Sequence, residues 1–187
     1  MKKIVVTLML SLFCLMVQGQ AHMKFMGIPL TGNVDLFTQK LKAKGLTCDV
    51  AKTKVAPAGT KYYKGVFMGE DAEFMIFFNS KDKTVFGVDV CIEYYTLESV
   101  KSQFADIAGQ LKEKYPDAVL GLSKNSAGDA NGIQFRIFDK EKKNLMGLII
   151  QTTILPDGIH EKYYRINLSY CDVANFNKNE KNNYDDL

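Results

Sequence analysis

The 187-residue sequence has no tryptophan and only two histidines, His22 and His160. Its only arginines are Arg136 and Arg165. Without tryptophan, a sugar-stacking lectin or glycosidase cleft is disfavoured. Two histidines with no paired ligand spacing argue against zinc catalysis. A Cys-His or Ser-His-Asp site would have to use His160, which follows Pro156-Asp157-Gly158 in a loop, where a lone histidine is ordinarily solvated. No C-x-x-C occurs, which counts against a thioredoxin-type redox site and a zinc ribbon. Gly27, Gly32, Gly65 and Gly69 do not form a phosphate-cradling run. The stretch from Ala127 to Gly132 fails as a calcium loop, since Ala127 stands at the first ligand position and Phe138 where the bidentate glutamate belongs. No catalytic residue, cofactor or metal is therefore expected.

What the chain does have is a distinctive opening. Lys2 and Lys3 precede an apolar run of 14 residues at 4–17, and Val17 and Gly19 fit the −3 and −1 positions of a cleavage site. This pattern predicts a signal peptide over 1–19, too short to span a hydrocarbon core of about 30 Å comfortably. Cleavage after Ala21 is the alternative. Phe13, not a small residue, precedes Cys14, which favours cleavage over lipid anchoring. The expected location is periplasmic or extracellular, with no integral membrane segment after cleavage. Removal of two lysines lowers the formal charge from +3 to +1 (22 basic against 21 acidic residues). These charges are interspersed, so neither nucleic acid nor an anionic lipid surface is an expected partner.

The remaining 168 residues (187 − 19) suffice for one large domain or two small packed ones. They carry an internal echo. Phe37 to Lys44 resembles Ile107 to Lys114 at an offset of 70, Phe74 to Phe77 resembles Phe135 to Phe138 at 61, and Phe86 to Val90 resembles Met146 to Ile150 at 60. Each expected unit opens with a helix. Asn33 or Asp35 caps one that carries Val34, Phe37 and Leu41 and stops at Gly45. Thr96 caps another that buries Val100, Phe104, Ile107, Ala108 and Leu111 and ends before Pro116. Strands are expected near 46–52, 61–68, 72–79 and 84–95, then near 118–124, 132–139, 144–155 and 162–173. The expected fold is α+β: two repeated helix-plus-four-strand units, 20–95 and 96–174, forming an antiparallel sheet with helices on one face. An apolar lead-in, 23–30, precedes them. A disordered tail, 175–187, follows.

The order of one helix then four strands, given twice, resembles the tandem units of the beta-lactamase-inhibitor-protein and PepSY group. The run Leu111-Lys112-Glu113-Lys114-Tyr115-Pro116 is similar to the helix end of PepSY-like secreted bacterial domains. The resemblance implies an exported binding and inhibitory module rather than an enzyme, and it carries over no functional residue.

Strand alternation assigns faces. Phe86, Val88, Val90, Ile92 and Tyr94 share one side, as do Ile133, Phe135 and Ile137, and Tyr164, Ile166, Leu168 and Tyr170; these make the expected core. The opposite parity leaves Phe77, Tyr95, Phe138 and Tyr163 pointing away from the helices, beside Arg136 and Arg165. Rings and arginines suit a surface that grips a protein or peptide, because rigid aromatics supply contact area at low entropy cost. Coverage by a curved sheet or by a homodimer is the structural alternative. Cys91 and Cys171 fall on this same face, and a disulfide between them is one arrangement. Pairing of Cys48 with either, or free thiols, are the others.

The expected function is a non-catalytic protein- or peptide-binding module. A periplasmic hydrolase with a site between the two units is the alternative. Export is tested directly: N-terminal sequencing of the secreted protein should begin at Gln20, or at His22 for the second cleavage site. Retention of Met1 in the exported fraction would remove the signal peptide from the account.

Overall fold

A computed structural model describes residues 22–124, 130–138, 144–156 and 162–184, with side chains over 22–124, 132–137 and 164–181. The chain is α+β, and its main sheet is antiparallel. A short hairpin, β1 (Lys24–Phe25) and β2 (Ile28–Pro29), leads into α1 (Val34–Ala43). Next come β3 (Thr47–Cys48), α2 (Val50–Val55), β4 (Thr60–Phe67), β5 (Glu70–Phe78) and β6 (Val85–Tyr94). Helix α3 (Leu97–Lys114) is followed by β7 (Val119–Lys124), β8 (Ala130–Phe138), β9 (Asn144–Pro156) and β10 (Lys162–Asp172). Helix α4 (Val173–Tyr184) closes the order.

The helices start where their caps dictate. The Asn33 side chain accepts from Asp35 N at 2.8 Å, and Thr96 Oγ1 accepts from Ser99 N at 3.1 Å. Each satisfies a backbone donor that has no partner within its own helix. The expected strand near 46–52 shrinks to two residues for the same reason. The Asp49 side chain accepts from Lys52 N at 3.0 Å and opens α2. The expected disordered tail is also corrected: Asp172 Oδ1 accepts from Asn175 N at 3.1 Å and starts α4 over residues assigned to that tail.

The eight-stranded sheet runs β3-β4-β5-β6-β10-β9-β8-β7, with β1 and β2 forming a separate pair. Strands β3–β6 form one meander and β7–β10 another, and among the described residues they pair only at β6–β10. Along that seam Val90 faces Leu168 and Ile92 faces Ile166. The order does not match the sequence echo. The echo equates β5 with β8 and β6 with β9, whereas β6 and β10 are the two strands at the centre. Those residue matches record a shared strand pattern, not equivalent positions.

One side of the sheet is the core. Phe74, Ile76, Val88, Val90, Ile92, Phe135, Ile166 and Leu168 are buried with Val34, Phe37 and Leu41 of α1 and Val100, Ile107 and Leu111 of α3. The lead-in belongs to it too. Met23, Phe25 and Leu30 are fully buried, and the Phe25 ring lies 5.1 Å from Tyr170, 5.8 Å from Phe67 and 6.0 Å from Phe74. Asp172, only 1% exposed, fixes this segment by accepting from Met23 N at 3.1 Å and pairing with His22 Nδ1 at 2.9 Å.

A bulge corrects one face assignment. Phe77 pairs with Gly87 but Phe78 pairs with Val85, so Phe86 is the extra residue. It leaves the core side and stacks on Phe77, with ring centroids 6.3 Å apart, and Phe176 of α4 packs edge-on against it at 5.8 Å. Helices therefore do not keep strictly to one face: α4 reaches the other at the Phe77 end.

Because Phe25 sits among three rings with no exposure, Phe25→Ala should destabilise the protein by about 3–5 kcal/mol in urea denaturation. A loss of less than about 1 kcal/mol would mean the lead-in is not part of the core.

Candidate functional site

The side of the sheet away from the core is built from polar rows that cross it strand by strand. Lys64, Glu73, Cys91 and Asn167 lie in register across β4, β5, β6 and β10. In a neighbouring row Tyr62, Met75, Asp89 and Ser169 are aligned, and beyond Cys91 the pair Glu93 and Arg165 face each other. Side chains opposite one another on an antiparallel pair lie within contact range, so these rows are the units of the surface.

The rows are largely self-satisfied. Arg165 Nη2 donates to Glu93 Oε1 at 2.5 Å, Lys64 Nζ pairs with Asp49 Oδ2 at 2.9 Å, and Lys52 Nζ pairs with Glu73 Oε1. The Cys91 thiol donates to Asn167 Oδ1 at 3.2 Å. Burial pushes that thiol up to about 11, with the Arg165 charge opposing, and burial pushes Cys171 up to about 11 as well. Both thiols stay protonated near neutral pH, so neither is an activated nucleophile. Burial also raises the Asp89 carboxyl, against the lowering effect of its hydrogen bond with Ser169.

At the end of this face where β5 begins lies an open hollow of about 540 Å³. Lys64, Glu70, Asp71, Glu73, Cys91, Glu93 and Tyr95 line it, together with Gly65 and Ala72. Of its four carboxylates Glu73 and Glu93 are paired with Lys52 and Arg165, and Lys64 is paired with Asp49, so Glu70 and Asp71 supply the excess negative charge that favours a cationic group. Tyr95 is 77% exposed at its rim and offers a rigid ring for stacking or cation–π contact. The hollow can bind, orient and desolvate a charged side chain. It contains no base–nucleophile pair.

The six residues expected to grip a partner do not form one patch. Tyr95 and Arg165 belong to the end that bears the hollow. Phe77 lies at the opposite end, half-buried against Phe86 and so partly spent on packing. Arg136 is exposed in the row of Phe77, reached across Gly87, Cys171 and Gly147, which places it roughly 19 Å from Phe77 at ~4.8 Å per strand. Arg165 is six residues along β10 from that row, roughly 20 Å away. Phe138 opposes Asn144 and Tyr163 opposes Leu155 in the backbone pairing, and their side chains lie outside the described residues. Glu70, Asp71, Glu73 and Lys64 were missed as binding residues. Their signal was the alternation in β4 and β5, which sends Lys64 and Glu73 to the face of Cys91.

The Cys91–Cys171 disulfide is corrected. Cys91 faces Asn167 and Cys171 faces Gly87, four residues apart along the seam, or roughly 13 Å, well beyond the reach of a disulfide. Cys48, Cys91 and Cys171 are all free. His160 and residues 125–129 lie outside the described residues. Among the described residues no group of three His, Cys, Asp or Glu side chains could hold a metal, and no helix is long and apolar enough to cross a membrane. No protein-family model, no curated protein and no solved structure matches the chain.

Asp89 yields a pH-dependent expectation. Burial holds its native pKa above the unfolded value of 3.8, so in the window between the two the native state binds a proton that the unfolded chain has released. Its stability contribution is greatest in acid and is lost as pH rises through the native pKa. Asp89→Asn, which mimics the protonated form, should melt like the parent at about pH 3 and higher than the parent at about pH 7. A constant difference in Tm across that range would show that burial does not hold the carboxyl neutral.

Proposed function

We propose that this protein is an exported, non-catalytic module that captures a protein or peptide partner at the hollow on the polar face of its sheet. The observation that carries the reading is the placement of an exposed aromatic rim, Tyr95, beside Glu70 and Asp71, the two lining carboxylates that neither Lys52 nor Arg165 engages. Such a site favours a partner that inserts a lysine or arginine side chain, with the Tyr95 ring covering its aliphatic stem. The Glu93–Arg165 pair beside it offers both signs of charge for orienting the partner's backbone. The protonated Cys91 thiol supports binding rather than covalent chemistry.

Export rests on the charged, apolar and small-residue pattern of 1–19. We also infer that the domain consists of two like units, with β6 corresponding to β10 and β5 to β9. The support is the mirrored strand order, in which each meander follows a helix and the two fourth strands meet at the centre. An inhibitory role, as the resemblance to the beta-lactamase-inhibitor-protein and PepSY group implies, is the form of binding this reading favours.

The test is affinity capture from native envelope extract with a Tyr95→Ala/Asp71→Lys double variant. Both positions are exposed, so stability should change by no more than about 0.5 kcal/mol per site. Capture of the native partner should weaken at least tenfold, roughly 1.4 kcal/mol. Undiminished capture by a folded double variant would sink the hollow as the binding site.

A further inference from the structure

The two edges of the eight-stranded sheet are unlike. At the β3 edge only Thr47 and Cys48 pair with β4, and α2 then closes over the remainder. Thr53 Oγ1 accepts from Tyr62 N at 2.9 Å and donates to Tyr62 O at 3.3 Å, while Asp49 N donates to the same carbonyl at 2.9 Å. That edge has no room for another strand. At the other edge, β7 is outermost among the described residues and has only β8 beside it in the sheet. Helix α3 packs mainly on β10, β9 and β6. The apolar row of the core side therefore continues uncovered from buried Phe135 to Leu120, 48% exposed, and from Ile133 to Leu122, 69% exposed. An edge strand with leucines in the open is an unusual liability unless another strand covers it.

We propose that β7 pairs antiparallel with β7 of a second copy of this chain, joining two eight-stranded sheets into one. The strand itself selects this occupant. A two-fold axis perpendicular to the sheet keeps the faces matched, so residues paired across it share parity. With the axis at Gly121, Leu120 faces Leu122 of the second copy and the reverse, which lines up four leucines on the core side. Lys124, the one charged residue of β7, falls opposite Ala118 of the second copy, so no like charges meet across the axis. Because the β3 edge is sealed, association closes at two copies rather than growing into a filament. One strand pair buries little area, so the affinity belongs in the micromolar range. This surface lies at the far edge of the sheet from the Tyr95 hollow and is independent of it.

Analytical ultracentrifugation of the exported protein from about 1 to 200 µM should show a monomer–dimer equilibrium. Leu122→Lys should raise the dissociation constant at least tenfold without lowering the circular-dichroism melting temperature. Gly121→Cys supplies a second readout. A Cβ there meets only the Gln134 side chain, at 3.7 Å or more, and two such positions face each other across the axis at about 5 Å. Mild oxidation should convert this variant to a disulfide-linked dimer, while Val55→Cys on exposed α2 should cross-link no more than the parent. If Leu122→Lys fails to fold, the cross-link decides. A protein that stays monomeric throughout the range, or that associates without cross-linking through Gly121→Cys, overturns the proposal, as does binding of β7 only to a foreign extended segment.

Discussion

The pairing of β6 with β10 is the constraint on which everything else depends. Among the described residues it is the only strand pairing between the two meanders, and its register decides what each face of the sheet can be. With Val90 opposite Leu168 and Ile92 opposite Ile166, the side under α3 closes into a dry core. The intervening residues necessarily place Cys91 against Asn167 and Glu93 against Arg165 on the other side. A slip by one residue would exchange these sets and bury both charges. The register is pinned at both ends of the seam. Arg165 and Glu93 form their ion pair at one end, and at the other Asp172 binds His22, Met23 N and the first turn of α4. A buried carboxylate with three partners tolerates little displacement, because each lost donor leaves charge unpaired in a low-dielectric site.

Most of the local structure was legible because it obeys short-range rules. Asn33 and Thr96 cap the two helices as their chemistry suggests, and the strand boundaries follow the alternation of apolar and polar residues. The failures share a cause. Helix α2 begins at Asp49 inside a stretch whose composition suits a strand equally well, and α4 is asparagine-rich, which reads as coil until tertiary contacts hold it. Asn175 Nδ2 donates to Leu30 O at 2.9 Å, and Lys178 bonds Asp82 Oδ2 at 2.9 Å, so that helix depends on residues about 100 positions or more away. Phe86 could not be assigned by parity, since a bulge is the point at which alternation breaks.

The site was legible in its ingredients and not in its geometry. Alternation identifies which residues share a face, and it placed Tyr95, Arg165, Cys91 and Cys171 together correctly in that sense. It does not give position along the face. Cys91 and Cys171 occupy comparable points near the ends of two strands, but antiparallel pairing sets those strands running past each other and carries the thiols apart. The same geometry separates Phe77 from Arg165 and assembles Glu73, Glu93 and Lys64 from strands that the sequence lists far apart. Register is a tertiary property, and four registers together were needed to locate one hollow.

The polar face does not need a cover in order to exist. Asp89 is hydrogen-bonded to Ser169, Cys91 to Asn167, and Arg165 to Glu93, while the Arg165 Nε is buried without a partner among the described residues. The one stretch with adjacent rings, Phe77 and Phe86, is already met by Phe176 of α4. Exposed Tyr95 stands beside Glu70 and Asp71 at the surface, outside the core. The leucines of β7 are the same kind of feature on the apolar side, present at an edge where folding alone would be served by a lysine. In the proposed reading these two places are contacts that a partner makes and releases while the core under α3 stays closed. Reversibility is what a binding module requires, since a surface needed for stability could not be released and captured again.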